Sequence, residues 1–257
     1  MRFGDKVVLI IGASSGMGRA VAIKLAAAGA SVVVTARRAD KLAELEQLIR
    51  SRGGACMSIA ADAQDEAAAS AVVDKITARY GRLDAVLLNA GGAPAIDMRK
   101  MSAADVKSYM RSNYDVVVNY LFPVLAQMRR QGHGLVAHTN SLASFVATPL
   151  QGPYCAAKAA GRLLIDTCRQ EFGDFGIAFV SIYPGFVATE ATAGDGMPAP
   201  MEISEDRAAD HILRAMREER WDYLFPWTTA LLVRLLRVLP KSWGNAVLKQ
   251  ELAKVAP

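Results

Sequence analysis

Three side chains in the middle of the chain could together carry out proton transfer. Tyr154 and Lys158 stand four residues apart, and on a helix that spacing places both side chains on one face. A free tyrosine hydroxyl has a pKa of about 10, and a neighbouring ammonium group would bring it nearer to the neutral range. Ser141 lies 13 residues before Tyr154 and could hydrogen-bond a substrate oxygen. Because Tyr-x-x-x-Lys alone is a common pattern, the assignment depends on the rest of the chain.

A glycine-rich segment near the start of the chain has the composition of a phosphate-binding turn. It follows the apolar run 7–11 and leads into a helical pattern. Glycines at such a place let the backbone approach a pyrophosphate at the amino end of a helix. The spacing is Gly-x-x-x-Gly-x-Gly, and its place in a strand–turn–helix unit favours a dinucleotide site. The candidate residues are Gly12, Ser14, Ser15, Gly16, Met17 and Gly18.

Two arginines follow the second predicted strand, where NAD-binding units carry an acidic residue for the ribose hydroxyls. Ala36 stands at that place in this chain, and Arg37 and Arg38 come next. A carboxylate there would repel a 2′-phosphate, whereas a guanidinium pairs with it through two hydrogen bonds. The sequence therefore predicts NADP(H) as the cofactor, with NAD(H) less favoured. Arg37 is the first candidate for the phosphate contact and Arg38 is the second.

The elements that position these residues alternate between short apolar strands and helices. Continuous apolar strands joined by helices are typical of a parallel sheet that is covered on both faces. We therefore predict one doubly wound α/β domain over residues 1–257, with about seven parallel strands. The predicted strands are 7–11, 31–35, 55–60, 85–88, 135–139, 177–182 and 223–225. The predicted helices are 16–28, 40–52 capped by Asp40, 65–80, 102–130 capped by Ser102, 153–172 and 204–219.

Over about residues 4–190, these features resemble the short-chain dehydrogenase/reductase family. The matches to its cofactor turn are Gly12, Gly16 and Gly18, and those to its active-site serine, tyrosine and lysine are Ser141, Tyr154 and Lys158. The remaining matches are Asp62 for the adenine ring, the Asn89-Ala90-Gly91 turn, the helix residue Asn113, and Pro184, Gly185, Val187 and Thr189 beside the nicotinamide. Asn119 on the same predicted helix is the alternative to Asn113.

The resemblance implies a Rossmann-like oxidoreductase that reduces a ketone or aldehyde to an alcohol, or catalyses the reverse reaction. NADPH would deliver a hydride to the carbonyl carbon while Tyr154 gives a proton to the oxygen. Lys158 is expected to lower the pKa of Tyr154 and to hold the nicotinamide ribose. Ser141 is expected to stabilise the oxygen, and Asn113 to hold a water in a proton relay. The alternative is a catalytically inactive nucleotide-binding or membrane-surface regulatory protein on the same fold.

The chain ends in an apolar and basic tail, residues 226–257, which is predicted to be a helical extension. Its leucines cover a broad face, and its cations are Arg234, Arg237, Lys241, Lys249 and Lys254. Three interpretations remain open: the tail covers the substrate pocket or the core, forms a subunit interface, or lies on a membrane surface. Residues 190–222 are predicted to hold a substrate lid and a helix, with the lid at 191–201.

Composition and charge exclude several other classes of protein. A hydrophobic fraction of 52% and a charged fraction of 21% exclude a disordered chain. The net charge of +5 comes without a compact basic run, which argues against a nucleic-acid partner. The three cysteines have no metal-ligand spacing, so we predict no metal site and a reducing, cytoplasmic setting. No targeting or membrane-spanning segment is visible in the sequence. We expect a hydrophobic small-molecule substrate and a homodimer or homotetramer, which the family resemblance implies.

Overall fold

The strands of the chain form a parallel sheet with the cofactor turn at its centre. A computed structural model describes residues 1–94, 96–190, 199, 201–238, 240 and 242–243. The strands are β1 Val7–Ile11, β2 Ser31–Ala36, β3 Ala55–Ala60, β4 Ala85–Leu88, β5 Gly134–Thr139, β6 Ile177–Pro184, β7 Val187–Ala188, β8 Ile203–Ser204 and β9 Asp222–Phe225. Seven of them form one sheet in the order β3-β2-β1-β4-β5-β6-β9, and β7 pairs with β8. Every residue of β1 is buried because the sheet is covered on both faces.

Helices pack on both faces of this sheet. They are α1 Gly16–Ala27, α2 Ala39–Ser51, α3 Glu66–Tyr80, α4 Ala103–Met110, α5 Val116–Gln131, α6 Gly152–Phe172, α7 Glu205–Glu218 and α8 Trp227–Val238. One face of the sheet is covered by α1, α2 and α7, and the other by α3, α5 and α6. The predicted doubly wound, Rossmann-like α/β fold is therefore confirmed.

The topology opens a crevice at the carboxyl ends of the strands. β1 pairs with β2 on one side and with β4 on the other, so the direction of winding reverses at β1. Ligands of open α/β sheets bind at such a reversal, because the loops that leave the two neighbouring strands diverge there. The glycine turn leaves β1, and the segment that contains Asn89 leaves β4. The two lie side by side at the crevice.

The predicted long helix 102–130 is interrupted in the structure. Ser102 caps α4 as predicted, through a capping box with Asp105. The chain then makes a π-helical turn over Arg111–Asp115 before α5 begins. A π turn contains one residue more than an α-helical turn. One extra residue changes the apolar periodicity of so long a stretch very little, so the sequence pattern did not predict the interruption. The turn carries Asn113, one of the predicted site residues.

One further prediction about local structure is wrong, and two short strands were not predicted. The predicted cap Asp40 is wrong, because α2 begins at Ala39 with Arg38 at the N-cap position and Asp40 in the first turn. The Arg38 side chain does not cap the helix, because a guanidinium has no hydrogen-bond acceptor; it donates to Ser14 and Ser15 instead. The short strands β7 and β8 were not predicted, because pairings of two residues leave no periodic pattern in the sequence.

The tail begins with α8, which follows β9 and ends at Val238, shortly before Pro240. Most of the predicted extension beyond it, residues 244–257, lies outside the described residues. The predicted lid 191–201 also lies outside them, apart from Ala199 and Met201. Among the residues that are described, no helix is long and apolar enough to cross a membrane.

Candidate active site

The glycine turn between β1 and α1 forms one wall of a cavity of about 590 Å³. Gly12 and Gly16 have positive φ angles of 79° and 58°, which a side chain would strain. A Cβ at Gly18 would lie 2.3 Å from the Gly12 carbonyl oxygen, so α1 packs directly against the turn. The Ser15 side chain does not cap α1, so it does not occupy the first backbone N–H groups of the helix. In turns of this kind, these N–H groups bind anions. Ser14 and Met17 also line this cavity.

The ends of β2 and β3 line the other side of this cavity, the adenosine cavity, for which the sequence predicts contacts with adenosine. Arg37, Arg38 and Asp62 all line it. Asp62 accepts a hydrogen bond of 3.0 Å from the Gln64 amide, so this carboxylate also orders its own loop. Both arginine side chains are exposed at the rim. The structure therefore brings together the groups for which the sequence predicts contacts with adenine and a 2′-phosphate.

Asn89, which follows β4, closes the crevice opposite the glycine turn. Its Nδ2 donates to the Gly12 carbonyl over 3.4 Å, which ties the ends of β1 and β4 together. Its Oδ1 is buried and, within the described part of the chain, has no hydrogen-bond partner. A buried acceptor without a partner is costly, and a bound polar ligand would satisfy it. Ala90 and Gly91 continue along the cavity, and Gly91 has a positive φ of 139°.

Tyr154 and Lys158 lie on one face of α6, as their spacing predicts. The Lys158 Nζ donates to the Thr139 carbonyl over 3.0 Å, and the side chain is 4% exposed. Burial lowers the pKa of Lys158 to about 8, because it disfavours the charged ammonium. The Nζ lies 5.7 Å from the centre of the Tyr154 ring. The lysine is thus held by the end of β5, within reach of the tyrosine.

The prediction that Lys158 lowers the pKa of Tyr154 does not hold in this structure. Burial raises the pKa of the Tyr154 hydroxyl to about 12, and a hydrogen bond with Ser141 acts in the opposite direction. The Lys158 ammonium donates instead to the Thr139 carbonyl. Tyr154 is therefore protonated at neutral pH, which is the form of a proton donor.

Ser141 is held in position by a residue that the sequence analysis did not single out. Asn140 accepts a hydrogen bond from the Ser141 amide over 2.8 Å, and its Nδ2 donates to the Lys158 carbonyl over 3.0 Å. The Ser141 Oγ itself accepts from the Ala143 amide over 3.1 Å. One buried asparagine thus links the end of β5 to the helix that carries Tyr154. Its place directly before Ser141 was the signal available in the sequence.

The structure separates the two asparagines of the long helical stretch. The Asn113 side chain is buried, and its Oδ1 accepts from the Gly92 amide over 3.0 Å. A Cβ at Gly91 would lie 2.7 Å from that oxygen and 3.7 Å from the Lys158 Nζ, so Asn113 faces the lysine across a glycine. Asn119 instead donates to the Ala63 carbonyl over 3.0 Å. The geometry thus favours Asn113 over Asn119 for a place beside Lys158.

A second cavity of about 870 Å³ adjoins the tyrosine end of the crevice. Its polar lining includes Ser141, Tyr154 and Lys158. The segment after β6 forms the opposite wall, through Pro184, Gly185, Val187 and Thr189. Its apolar lining is contributed by Ala93, Ala143, Val146, Phe186, Leu232, Val233 and Leu236. Helix α8 supplies the last three of these, so the tail contributes to this cavity.

The two cavities form one cleft that fits a dinucleotide. They share lining residues at their junction, namely Met17, Asn89, Gly91, Gly92 and Thr189. The close approach at Gly18 and the unsatisfied Asn89 Oδ1 both suit a polar ligand that lies along the turn. The adenosine end carries two cations, and the other end carries the serine, tyrosine and lysine. Fold and cleft together define a nucleotide-dependent oxidoreductase.

Comparison with known proteins agrees with this class. The family model for short chain dehydrogenases matches residues 6–197, and the chain belongs to that family. The A-factor type gamma-butyrolactone 1′-reductase of Streptomyces virginiae is 36% identical over 191 residues, which cover 74% of each chain. The protein is therefore an NAD(P)-dependent oxidoreductase of small-molecule carbonyl or alcohol substrates.

Two solved structures show the same fold with different cofactors. A short-chain dehydrogenase/reductase from Burkholderia phymatum, in complex with NAD, has a TM-score of 0.83 at 24% identity and covers 91% of this chain and 94% of its own. A gluconate 5-dehydrogenase from Burkholderia cenocepacia, in complex with NADP and tartrate, has a TM-score of 0.77 at 28% identity, with 87% and 94% covered. Proteins similar to this chain thus bind either dinucleotide.

Proposed function

We propose that the protein uses NADPH to reduce the carbonyl group of a hydrophobic small molecule to an alcohol. The observation that carries this proposal is the continuous cleft, with Ser141, Tyr154 and Lys158 at one end and Arg37 and Arg38 at the other. When bound, the nicotinamide would supply the hydride to the carbonyl carbon. The side chains of this chain then have to hold the substrate and supply a proton.

The proposed proton transfer is divided among four side chains. The Ser141 hydroxyl holds the carbonyl oxygen, and the Tyr154 hydroxyl donates its proton to that oxygen as the alcohol forms. Lys158, which is protonated below its pKa of about 8, passes a proton on towards the phenolate that remains on Tyr154. Asn113, which faces Lys158 across Gly91, lies on the path by which a water returns the proton.

Arg37 is the first candidate for the contact that selects NADPH. Its guanidinium lines the adenosine cavity and, among the described residues, makes no ion pair. A hydrogen bond to a charged group contributes about 1.5–3 kcal/mol. We therefore expect Arg37→Ala to weaken NADPH binding by about 10- to 100-fold and to leave NADH binding nearly unchanged. Titration followed by nicotinamide fluorescence would measure both affinities.

The control for this experiment is Arg52→Ala, which removes an exposed arginine at the far end of α2. That variant should bind both nucleotides as the wild type does. A wild-type protein that prefers NADH, or equal losses of both nucleotides in Arg37→Ala, would contradict the assignment. A protein that binds neither nucleotide would contradict the proposed function and would favour the membrane-surface regulatory alternative.

The substrate end of the cleft supports a hydrophobic carbonyl compound. Its walls are mainly small or apolar, and α8 adds Leu232, Val233 and Leu236. Apolar walls with a few convergent polar groups are typical of sites for small molecules of low polarity. A screen of hydrophobic ketones and aldehydes with NADPH is therefore the direct test of the substrate class.

We further propose that the outer face of α8 contacts anionic membrane surfaces. Trp227, Leu231, Leu235 and Val238 recur at helical spacing, and their side chains are 74%, 48%, 53% and 80% exposed. The helix has no acidic residue, and residues 226–257 contain five basic residues against one acidic residue. An apolar face with flanking cations is suited to the interface of an anionic bilayer. The inner face of the same helix lines the substrate cavity, so a hydrophobic substrate could enter from the bilayer.

Vesicle flotation tests this contact with a matched pair of tryptophans. We expect the protein to float with vesicles of phosphatidylcholine and phosphatidylserine, and Trp227→Ala to lower the bound fraction by about threefold or more. Trp221→Ala is the control, because this 71% exposed indole lies at the opposite end of β9. Added salt should also weaken binding. Equal recovery in the soluble fraction with and without vesicles would contradict the proposal.

We also propose a homo-oligomeric protein of the reducing cytoplasm. Phe122 on α5 and Leu163 on α6 are 52% and 59% exposed, which provides apolar surface for a subunit contact along these helices. The three cysteines Cys56, Cys155 and Cys168 are free and buried, in keeping with a compartment in which disulfides do not form.

A further inference from the structure

An ion pair closes the rim of the adenosine cavity. The Arg38 Nη1 lies 3.0 and 3.1 Å from the two carboxylate oxygens of Glu190. The other nitrogens of the guanidinium bond the Ser14 Oγ over 3.1–3.2 Å and the Ser15 Oγ over 2.7 Å. All three nitrogens of Arg38 are therefore engaged. Through Arg38, these contacts link the glycine turn and the end of β2 to Glu190, which directly follows Thr189.

Glu190 uses the same part of Arg38 that a phosphate would use. A guanidinium presents parallel N–H groups that match either a carboxylate or a phosphate, and one ligand excludes the other from those groups. The Ser14 and Ser15 hydroxyls are neutral and need not leave when an anion binds. The carboxylate of Glu190 must leave, or it repels the incoming dianion. NAD(H) has no 2′-phosphate and does not enter this competition.

We propose that Glu190 is a specificity-determining residue, which competes with the 2′-phosphate for Arg38 and so lowers the affinity for NADP(H) relative to NAD(H). This inference rests on the proposed function, because it takes the end of β2 as the 2′-phosphate site. The side chains of Arg38 and Glu190 are 41% and 62% exposed, respectively. Exposed pairs are weak, so a phosphate can displace the carboxylate, and Glu190 tunes the preference without abolishing NADP(H) binding.

The opposite role for Glu190 makes an opposite prediction. If Glu190 served to hold Arg38 in position for the phosphate, its removal would weaken NADP(H) binding. If it competes, its removal releases the Arg38 N–H groups and strengthens NADP(H) binding. The sign of the change in affinity therefore decides between positioning and competition.

The test is Glu190→Gln, which keeps the shape of the side chain and removes its charge. We expect this variant to bind NADPH, and the fragment 2′,5′-ADP, about fivefold more tightly than the wild type. NADH and 5′-AMP, which lack the 2′-phosphate, should bind with unchanged affinity. Isothermal titration calorimetry measures all four ligands without any need for turnover. In an Arg38→Gln background the gain from Glu190→Gln should be smaller, because the two residues act on each other.

Glu218→Gln is the matched control. Glu218 forms a comparable ion pair with Arg214 at the end of α7, with 33% and 63% exposure. It changes the net charge by the same amount and should change no affinity. Unchanged or weaker NADPH binding in Glu190→Gln would overturn this inference alone, provided that the wild type binds NADPH. A wild type that binds no nucleotide would contradict the proposed function and this inference with it.

Discussion

Replacing Tyr154 with phenylalanine is expected to lower the turnover of carbonyl reduction by about a thousandfold, because general acid catalysis contributes about 10²–10⁴-fold. The Tyr154 hydroxyl is protonated at neutral pH and hydrogen-bonded to Ser141. Its removal leaves the ring and the packing of α6 in place. Binding of NADPH should therefore stay within about twofold of the wild type. Steady-state kinetics with a reducible ketone, together with nucleotide titration, would separate the two effects.

Tyr80→Phe provides the control for loss of a hydroxyl. Tyr80 ends α3 and packs against the core on the α3–α5 side, away from both cavities. Its variant should retain wild-type turnover. A Tyr154→Phe protein with wild-type turnover would contradict the proposed mechanism. If the wild type bound NADPH and reduced no carbonyl compound, the regulatory alternative would be favoured.

Replacing Gly18 with alanine is expected to abolish most cofactor binding and to destabilise the fold. The added Cβ would lie 2.3 Å from the Gly12 carbonyl oxygen and 2.9 Å from the Asn89 Nδ2. Because a backbone atom cannot swing away, α1 must move off the turn, at a cost of about 1–3 kcal/mol. For a chain of this size that corresponds to a Tm lower by about 2–12 °C. The same movement would misplace the turn, and we expect NADPH affinity to fall by about 100-fold or more.

Gly173→Ala is the matched control for this substitution. Gly173 also has a helical backbone, with φ −56° and ψ −40°, but a Cβ there meets nothing within 4 Å. Calorimetry and nucleotide titration should find this variant close to the wild type. Unchanged NADPH affinity in Gly18→Ala would show that the turn tolerates a side chain, which would contradict the close-packed cofactor site described above.

Much of this fold could be predicted because its signals are local. Each parallel strand is buried on both faces and so reads as an unbroken apolar run, as β1 does. The π turn at Arg111–Asp115 escaped prediction, because a single extra residue hardly changes the apolar pattern of a long helix. The cap of α2 was assigned to Asp40 on residue preference, whereas the chain begins the helix one residue earlier.

The sequence by itself determined the fold class, the glycine turn and the side chains that meet at the cleft, because these signals are local. The spacing from Tyr154 to Lys158, for example, places both side chains on one face as soon as a single helix forms. Tertiary structure alone decided the environment of those groups. Burial, and not the neighbouring lysine, sets the direction of the Tyr154 pKa. The pairing of Arg38 with Glu190 joins residues 152 positions apart, and no local pattern records it. A pKa shift or an ion pair depends on the distance between the groups and on their burial, and tertiary packing sets both of these.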